Sequence, residues 1–272
     1  MSPAAYGQRE IFGVDFSGAK TACNKIWVSH ARVAGTRLSI LECYPISKLN
    51  SGKLSREQCL NVLFHLIISN KHSIFGMDFP FGIPFQLMKG YNWEELIRNF
   101  PMIYPSSDDF RNINRKLSEN VEIKRLTDKE VKAPFCVYNI RLYKQTYYGI
   151  LHIIRPLVLT GAASIIPMQP LSPDVPWIVE ICPASTLKKE GIYLPYKGKE
   201  KNKKTAREYI LNNLEKKALD IPNEILEKAL GNTEGDTLDS IIAAYSVFCA
   251  IPSLFSITQT GEPYTTEGLT FI

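Results

Sequence analysis

Ile11-Phe12-Gly13-Val14-Asp15 is apolar until its last residue, and Ile74-Phe75-Gly76-Met77-Asp78 repeats the pattern further along the chain. A run of this kind reads as a central strand buried on both faces of an α/β sheet. Acidic residues are poor strand formers and are rarely buried without a partner. An acid at the very end of such a run therefore calls for a reason. Trp177-Ile178-Val179 leads into Glu180 in the same way, and Asp236 and Asp239 open an apolar helix. Ligands of open α/β sheets collect beyond the carboxyl ends of the strands. Carboxylates gathered there most naturally hold a divalent metal.

Working outward, Ile26-Trp27-Val28 and Leu38 to Leu41 flank Ala34-Gly35, which fits a hairpin. Ser55-Arg56-Glu57-Gln58 is a capping-box pattern, and Leu60, Leu63, Phe64, Ile67 and Ile68 continue it as an amphipathic helix. Pro80, Gly82 and Pro84 impose an irregular turn directly after Asp78. Residues 86–173 carry weaker periodicity: Trp93 to Phe100 looks helical, and aromatics mix with Arg141, Lys144 and Arg155 thereafter. This stretch is expected to be an insertion covering one side of the sheet within a single domain, 1–272. Trp177 to Cys182 is the expected fifth strand, with Pro183 at the start of a helix and Gly191 at its stop. Helices are expected over Lys203 to Leu219, Pro222 to Leu230 and Asp236 to Ala250, the last ended by Pro252. The tail to Ile272 is expected on the surface. The fold class is α/β, a mixed five-stranded sheet with flanking helices.

Composition excludes several classes. Hydrophobic content of 45% and charged content of 22% are ordinary for a globular protein. A net charge of +5 is a mild pointer to an anionic partner. The six cysteines include no Cys-x-x-Cys pair, which argues against zinc and for reduced thiols in a cytoplasmic protein. His30, His65, His72 and His152 form no ligand pair. Met1 to Glu10 lacks the apolar core of a signal peptide, and Ile153 to Met168 is broken by Arg155, Pro156 and Gly161, so no membrane span is expected.

Gly13-Val14-Asp15-Phe16-Ser17-Gly18-Ala19 resembles the first-strand motif of the RNase H-like fold. Gly76-Met77-Asp78-Phe79-Pro80-Phe81-Gly82-Ile83-Pro84, Val179-Glu180-Ile181-Cys182-Pro183-Ala184 and Glu267-Gly268 resemble motifs of the predicted nucleases catalogued as domain of unknown function number 429. Asp236-Thr237-Leu238-Asp239-Ser240-Ile241-Ile242-Ala243-Ala244 is similar to that family's final helix and, through it, to the acidic helix of RuvC-type Holliday-junction resolvases. One position departs from the family, Ser240 where it often has Ala. The resemblance implies an RNase H-like fold and a nuclease. It also implies that Asp15 bridges two ions, and that Lys197 and Arg207, which resemble recurrent basic positions, contact the substrate.

The chemistry stands on the residue types as well. Asp236 and Asp239, three apart, share one helix face. Three of the acids have a plain alternative, a first-turn charge for Asp236, a turn former for Asp78 and a lysine partner for Glu180, whereas Asp15 has no obvious cation nearby and a cap explains Asp239 less well. Hard oxygen ligands without histidine or thiolate select Mg²⁺ or Mn²⁺. Two such ions, about 3.5–4 Å apart, serve an in-line phosphodiester displacement. The expected metal ligands are Asp15, Asp78, Asp236 and Asp239, converging on a shared pair. Asp15, Asp78, Asp239 and Glu180 form the expected catalytic set, Glu180 acting from behind the ligands or positioning water. Lys197-Gly198-Lys199-Glu200-Lys201-Asn202-Lys203-Lys204, leading to Arg207, is the expected phosphate-gripping rim. Tyr138, Tyr143, Tyr147 and Tyr148 suit either base stacking or core packing. The expected partner is nucleic acid, DNA or RNA, with no membrane. Two other classes compete: a non-catalytic nucleic-acid-binding protein of the same fold, and an ATP-dependent phosphotransferase of the actin and sugar-kinase kind. The latter needs two full lobes, for which 272 residues with one such motif are short.

Overall fold

A computed structural model describes residues 9–50, 52–257 and 261–272. Its centre is a mixed eight-stranded sheet: β1 (Glu10–Asp15), β2 (Trp27–Ala34), β3 (Arg37–Pro45), β4 (Ser73–Met77), β5 (Ser164–Ile166), β6 (Trp177–Ile181), β7 (Leu219–Asp220) and β8 (Thr270–Phe271). The order is β5-β6-β4-β1-β2-β3-β7, with β8 paired to β6. β1, β2 and β3 run antiparallel through the expected hairpin, while β4 and β6 extend the sheet in parallel from β1.

The expected strands are therefore all present, but three short ones add to the five. β5 arises inside the stretch read as an insertion, so that stretch contributes to the sheet as well as covering it. β8 comes from the tail read as surface: Thr270 and Phe271 are buried against β6, and Glu267 just before them is buried too.

Side chains alternate across the strands, and the two faces collect different partners. Phe12, Val14, Phe75, Met77 and Ile178 point to the layer built by the helix Arg56–Ser69 and the helices between residues 93 and 160. Ile11, Ile74, Trp177 and Val179 point to the layer of the helices Lys201–Lys217, Asn223–Gly231 and Asp236–Leu254. The helix Arg56–Ser69 starts on the expected capping box, Ser55 Oγ accepting the Gln58 N–H at 3.2 Å and Gln58 Oε1 accepting the Ser55 N–H at 2.8 Å.

The helix Asp236–Leu254 lies against β1 and β4 because both strands carry glycine at the crossing. A Cβ on Gly13 would stand 2.2 Å from Ala244 N and Ser240 O, and one on Gly76 would stand 2.5 Å from Val247 Cγ2. Pro252 does not end this helix, which runs on to Leu254; a proline in the last turn forfeits only one of its hydrogen bonds. Ser240, the departure from the family pattern, tethers the helix to β2, its hydroxyl lying 2.8 Å from that of Ser29. This helix is the one segment among the described residues long and apolar enough to cross a membrane, and it is mostly core.

The thiol expectation needs correction at one pair. The short helix Ala22–Lys25 packs beside Arg56–Ser69 and brings Cys23 and Cys59 into a disulfide, Cα to Cα 5.5 Å. Cys43, Cys136, Cys182 and Cys249 are free. Sequence spacing carries no sign of a bridge that depends on how two helices meet.

Candidate metal centre

β1 and β4 pair with Gly13 opposite Gly76 and Val14 opposite Met77, so Asp15 and Asp78 follow as the next level at adjacent strand ends. Counting by twos, each acid shares the face of its glycine, the face on which Asp236–Leu254 lies. That helix begins over the same strand ends and adds Asp236 and Asp239. Three segments remote in sequence thus bring four carboxylates within electrostatic reach of one another. Asp15 is 8% exposed and Asp239 2%.

Burial and crowding together raise the pKa values of three of the four. Burial first, then the charges of Asp239 and Asp78, raise the Asp15 carboxyl well above the usual carboxylate range. Asp78 is pushed up to about 8 by burial and by Asp239 and Glu180, with Lys197 pulling the other way. Burial also raises Asp236, against the opposing charges of Lys25 and Lys197.

Two cations offset part of this charge. Lys197 Nζ lies 2.6 Å from Asp239 Oδ2. Burial would lower the Lys197 ammonium, but Asp239, Asp15 and Asp78 outweigh it and hold the pKa above its ordinary value. Lys25 lies 2.9 Å from Glu234 and 4.0 Å from Asp236. The Tyr196 hydroxyl donates to Asp239 Oδ1. Both Asp239 oxygens are therefore engaged. Among the described residues no three acidic, histidine or cysteine side chains are already drawn together as a ligand group. The expected convergence is thus a shared electrostatic neighbourhood with Lys197 as counter-charge, not a finished coordination shell. Carboxylates with no cation between them repel, and here an ammonium supplies the positive charge. The donor chemistry, hard oxygens carrying surplus negative charge, fits Mg²⁺ or Mn²⁺.

Comparison of the chain with family models, with curated proteins and with solved structures returned no match.

Glu180 departs from the expected set. It pairs with Met77, one position short of the level of Asp78, and so points to the opposite face of the sheet. There it meets Arg125, whose Nη2 lies 2.6 Å from Glu180 Oε1 and whose Nη1 lies 2.8 Å from Oε2. Phe81 N–H donates to Oε2 at 2.8 Å and the Thr270 hydroxyl to Oε1 at 2.6 Å. Asp128 completes the cluster, 2.7 Å from Arg125 Nη2. Glu267 braces the same corner by accepting the Phe85 and Leu126 N–H groups at 2.7 and 2.8 Å.

Arg207 also departs. It is 2% exposed and donates to the Tyr196 carbonyl at 2.7 Å, the Gly198 carbonyl at 3.1 Å and the Leu230 carbonyl at 3.0 Å. It fixes the loop that carries Lys197 and is not open to a phosphate. Lys197 itself sits in the cleft with its side chain 57% exposed. Of the tyrosines, Tyr138 and Tyr147 are core residues, Tyr148 lies under Arg56, and Tyr143 donates to Asp108. Tyr138 and Tyr147 are thus core packing, while Tyr143 and Tyr148 are half-buried against the core.

Sequence reasoning missed Lys25, Tyr196, Gln145 and Arg125. Gln145 donates to the Asp78 carbonyl. Tyr196, in Pro195-Tyr196-Lys197-Gly198, was marked only by standing next to Lys197.

Proposed function

We propose that the chain is a metal-dependent nuclease of RNase H-like fold, hydrolysing phosphodiester bonds in nucleic acid. The observation that carries this reading is the set of four mutually repelling carboxylates at the ends of β1 and β4 and the head of Asp236–Leu254, compensated only in part by Lys197 and Lys25. The antiparallel β1, β2 and β3, extended in parallel by β4 and β6, support the fold assignment. Buried acids clustered in a cleft with raised pKa values are a mark of functional sites.

Asp15, Asp78, Asp236 and Asp239 would hold Mg²⁺ or Mn²⁺. Bound there, the ions would supply an activated water and charge stabilisation for the leaving oxygen. The protein contributes the rest. Gly13 and Gly76 set the height of the helix over the sheet and so the distance between its acids and those of the strands. Tyr196 and Arg207 fix the loop that aims Lys197. Lys197 neutralises Asp239 in the resting site, and its exposed side chain can turn to a substrate phosphate once divalent cations take over that duty. Arg125, Asp128 and Glu180 hold the floor of the cleft.

The test is a pair of titrations on wild type and Asp15→Asn. The variant removes one repelling charge at constant size. It should melt higher than wild type without metal, gain less from Mg²⁺ or Mn²⁺, and lose metal-dependent cleavage of nucleic acid by about a thousandfold or more. Full cleavage by Asp15→Asn would overturn the proposal.

A further inference from the structure

A cavity of about 420 Å³ adjoins the acids, with Asp78, Asp239 and Lys197 in its lining. The volume lies within the range of small-ligand sites, about 300–1,000 Å³. The rest of the lining joins the Arg125, Asp128 and Glu180 cluster to the apolar surfaces of Pro134, Phe135, Tyr193 and Pro195. Two of these are rings the core does not absorb. Tyr193 is 42% exposed and Phe135 is half-buried. Each has a cation over its face, Arg141 at 5.3 Å from the Phe135 ring centre and Lys188 at 5.5 Å from that of Tyr193. The cavity also contains Cys182, but burial pushes that thiol up to about 11, so it is no thiolate nucleophile at neutral pH. Aromatic faces with neighbouring cations, opening onto a phosphate-handling site, match the needs of one ligand class: a planar base on a charged backbone.

We infer that this cavity receives the base of an unpaired nucleotide, so that the substrate is a single-stranded segment of nucleic acid; the inference rests on the nuclease reading. A base inside a duplex has both faces stacked and its edge paired, and must be unstacked before it can enter such a pocket. A single strand enters at little cost. Phe135 and Tyr193 supply the stacking faces, and Arg141, exposed at the wall, meets the backbone beside them. The acids then face the phosphate next to the seated base.

Binding should be measured on the Asp15→Asn chain in Mg²⁺, which keeps the probes intact. The probes are a short fluorescent strand of mixed sequence, as DNA and as RNA, and the same strands in full duplexes. At least one strand should bind about tenfold or more tighter than its duplex. Tyr193→Ala and the gentler Phe135→Leu should each weaken that strand by about tenfold, in line with the loss of one stacking face, and leave duplex affinity alone. Equal affinity for strand and duplex, or ring variants without effect, would overturn the pocket assignment. Cleavage by the wild-type chain separates the two readings. Metal-dependent cleavage of duplex as fast as of strand would sink the pocket and keep the nuclease. Ring-dependent strand binding with no metal-dependent cleavage would do the reverse.

Discussion

Two groups of acids stand at the same end of the sheet, on opposite faces, and they are built in opposite ways. Around Glu180, Arg125 meets two carboxylates, and backbone N–H groups and a threonine hydroxyl take up remaining acceptor sites. Around Asp15, four carboxylates share two partly exposed lysines and one tyrosine hydroxyl. The first group has one cation for two carboxylates, the same ratio as the second, but dense hydrogen bonding fills its acceptor sites, as a buried ion cluster needs to persist. In the second, burial and then the neighbouring negative charges push the Asp15 and Asp78 carboxyls toward the protonated form. Neither acid content nor the ratio of cations separates them; the hydrogen bonds their carboxylates accept do. A satisfied cluster holds a fold together, whereas an unsatisfied one suits the metal role proposed for it.

The sharpest way to break this contrast is to unmake the satisfied cluster. Arg125→Ala would leave Glu180 and Asp128 buried without their cation, and removing one member of such a group costs about 3–5 kcal/mol. Denaturant unfolding should show that loss with or without Mg²⁺. Glu180→Gln keeps the shape and one acceptor oxygen, and so two of the four hydrogen bonds, and it should lose less than Arg125→Ala and leave the metal response unchanged. If Glu180→Gln folded normally but no longer responded to metal, Glu180 would belong to the centre after all.

The unsatisfied cluster should reveal itself through pH. Asp15 and Asp78 have folded-state pKa values raised above the unfolded value, Asp78 to about 8. Between about pH 4 and about pH 8 the folded chain therefore binds more protons than the unfolded one, and stability falls as pH rises through that window. Without metal the melting temperature should drop from pH 5 to pH 8, by about 2–4 °C for each kcal/mol lost. Asp78→Asn should flatten the slope, and saturating Mg²⁺ should reverse it. A metal-free melting temperature that climbs over this range would mean the acids are compensated.

How much of this was legible follows from what each feature depends on. The strands β1 and β4 were, because glycine, one apolar residue and aspartate recur in both, and alternation then puts glycine and acid on one face. The face of Glu180 was not. It depends on the pairing of Met77 with Glu180, a register that no local pattern encodes. Arg125 lies in a charged stretch without period, and its partner Glu180 is 55 residues away. The helix over residues 236–254 was visible in its apolar run, but the tail's return as β8 was not, since Thr270 and Phe271 make too short a strand to leave a pattern.

The basic loop gives the finest test of the contrast, because Lys197 and Arg207 looked alike in the sequence and differ in the structure. Lys197 has an exposed stem and a charge directed into the cleft, whereas Arg207 spends its donors on the carbonyls of Tyr196, Gly198 and Leu230. A cation that meets a phosphate releases bound counterions, and each such contact adds about 0.7–0.9 to the slope of log affinity against log salt. Lys197→Ala should therefore weaken nucleic-acid binding in Mg²⁺ and lower that slope by about one contact's worth. Arg207→Ala should lower stability by leaving buried carbonyls unpaired, while the slope stays the same. Slopes lowered equally by both changes would restore Arg207 to the phosphate-binding rim. A Lys197→Ala protein with unchanged slope would confine that lysine to its pairing with Asp239.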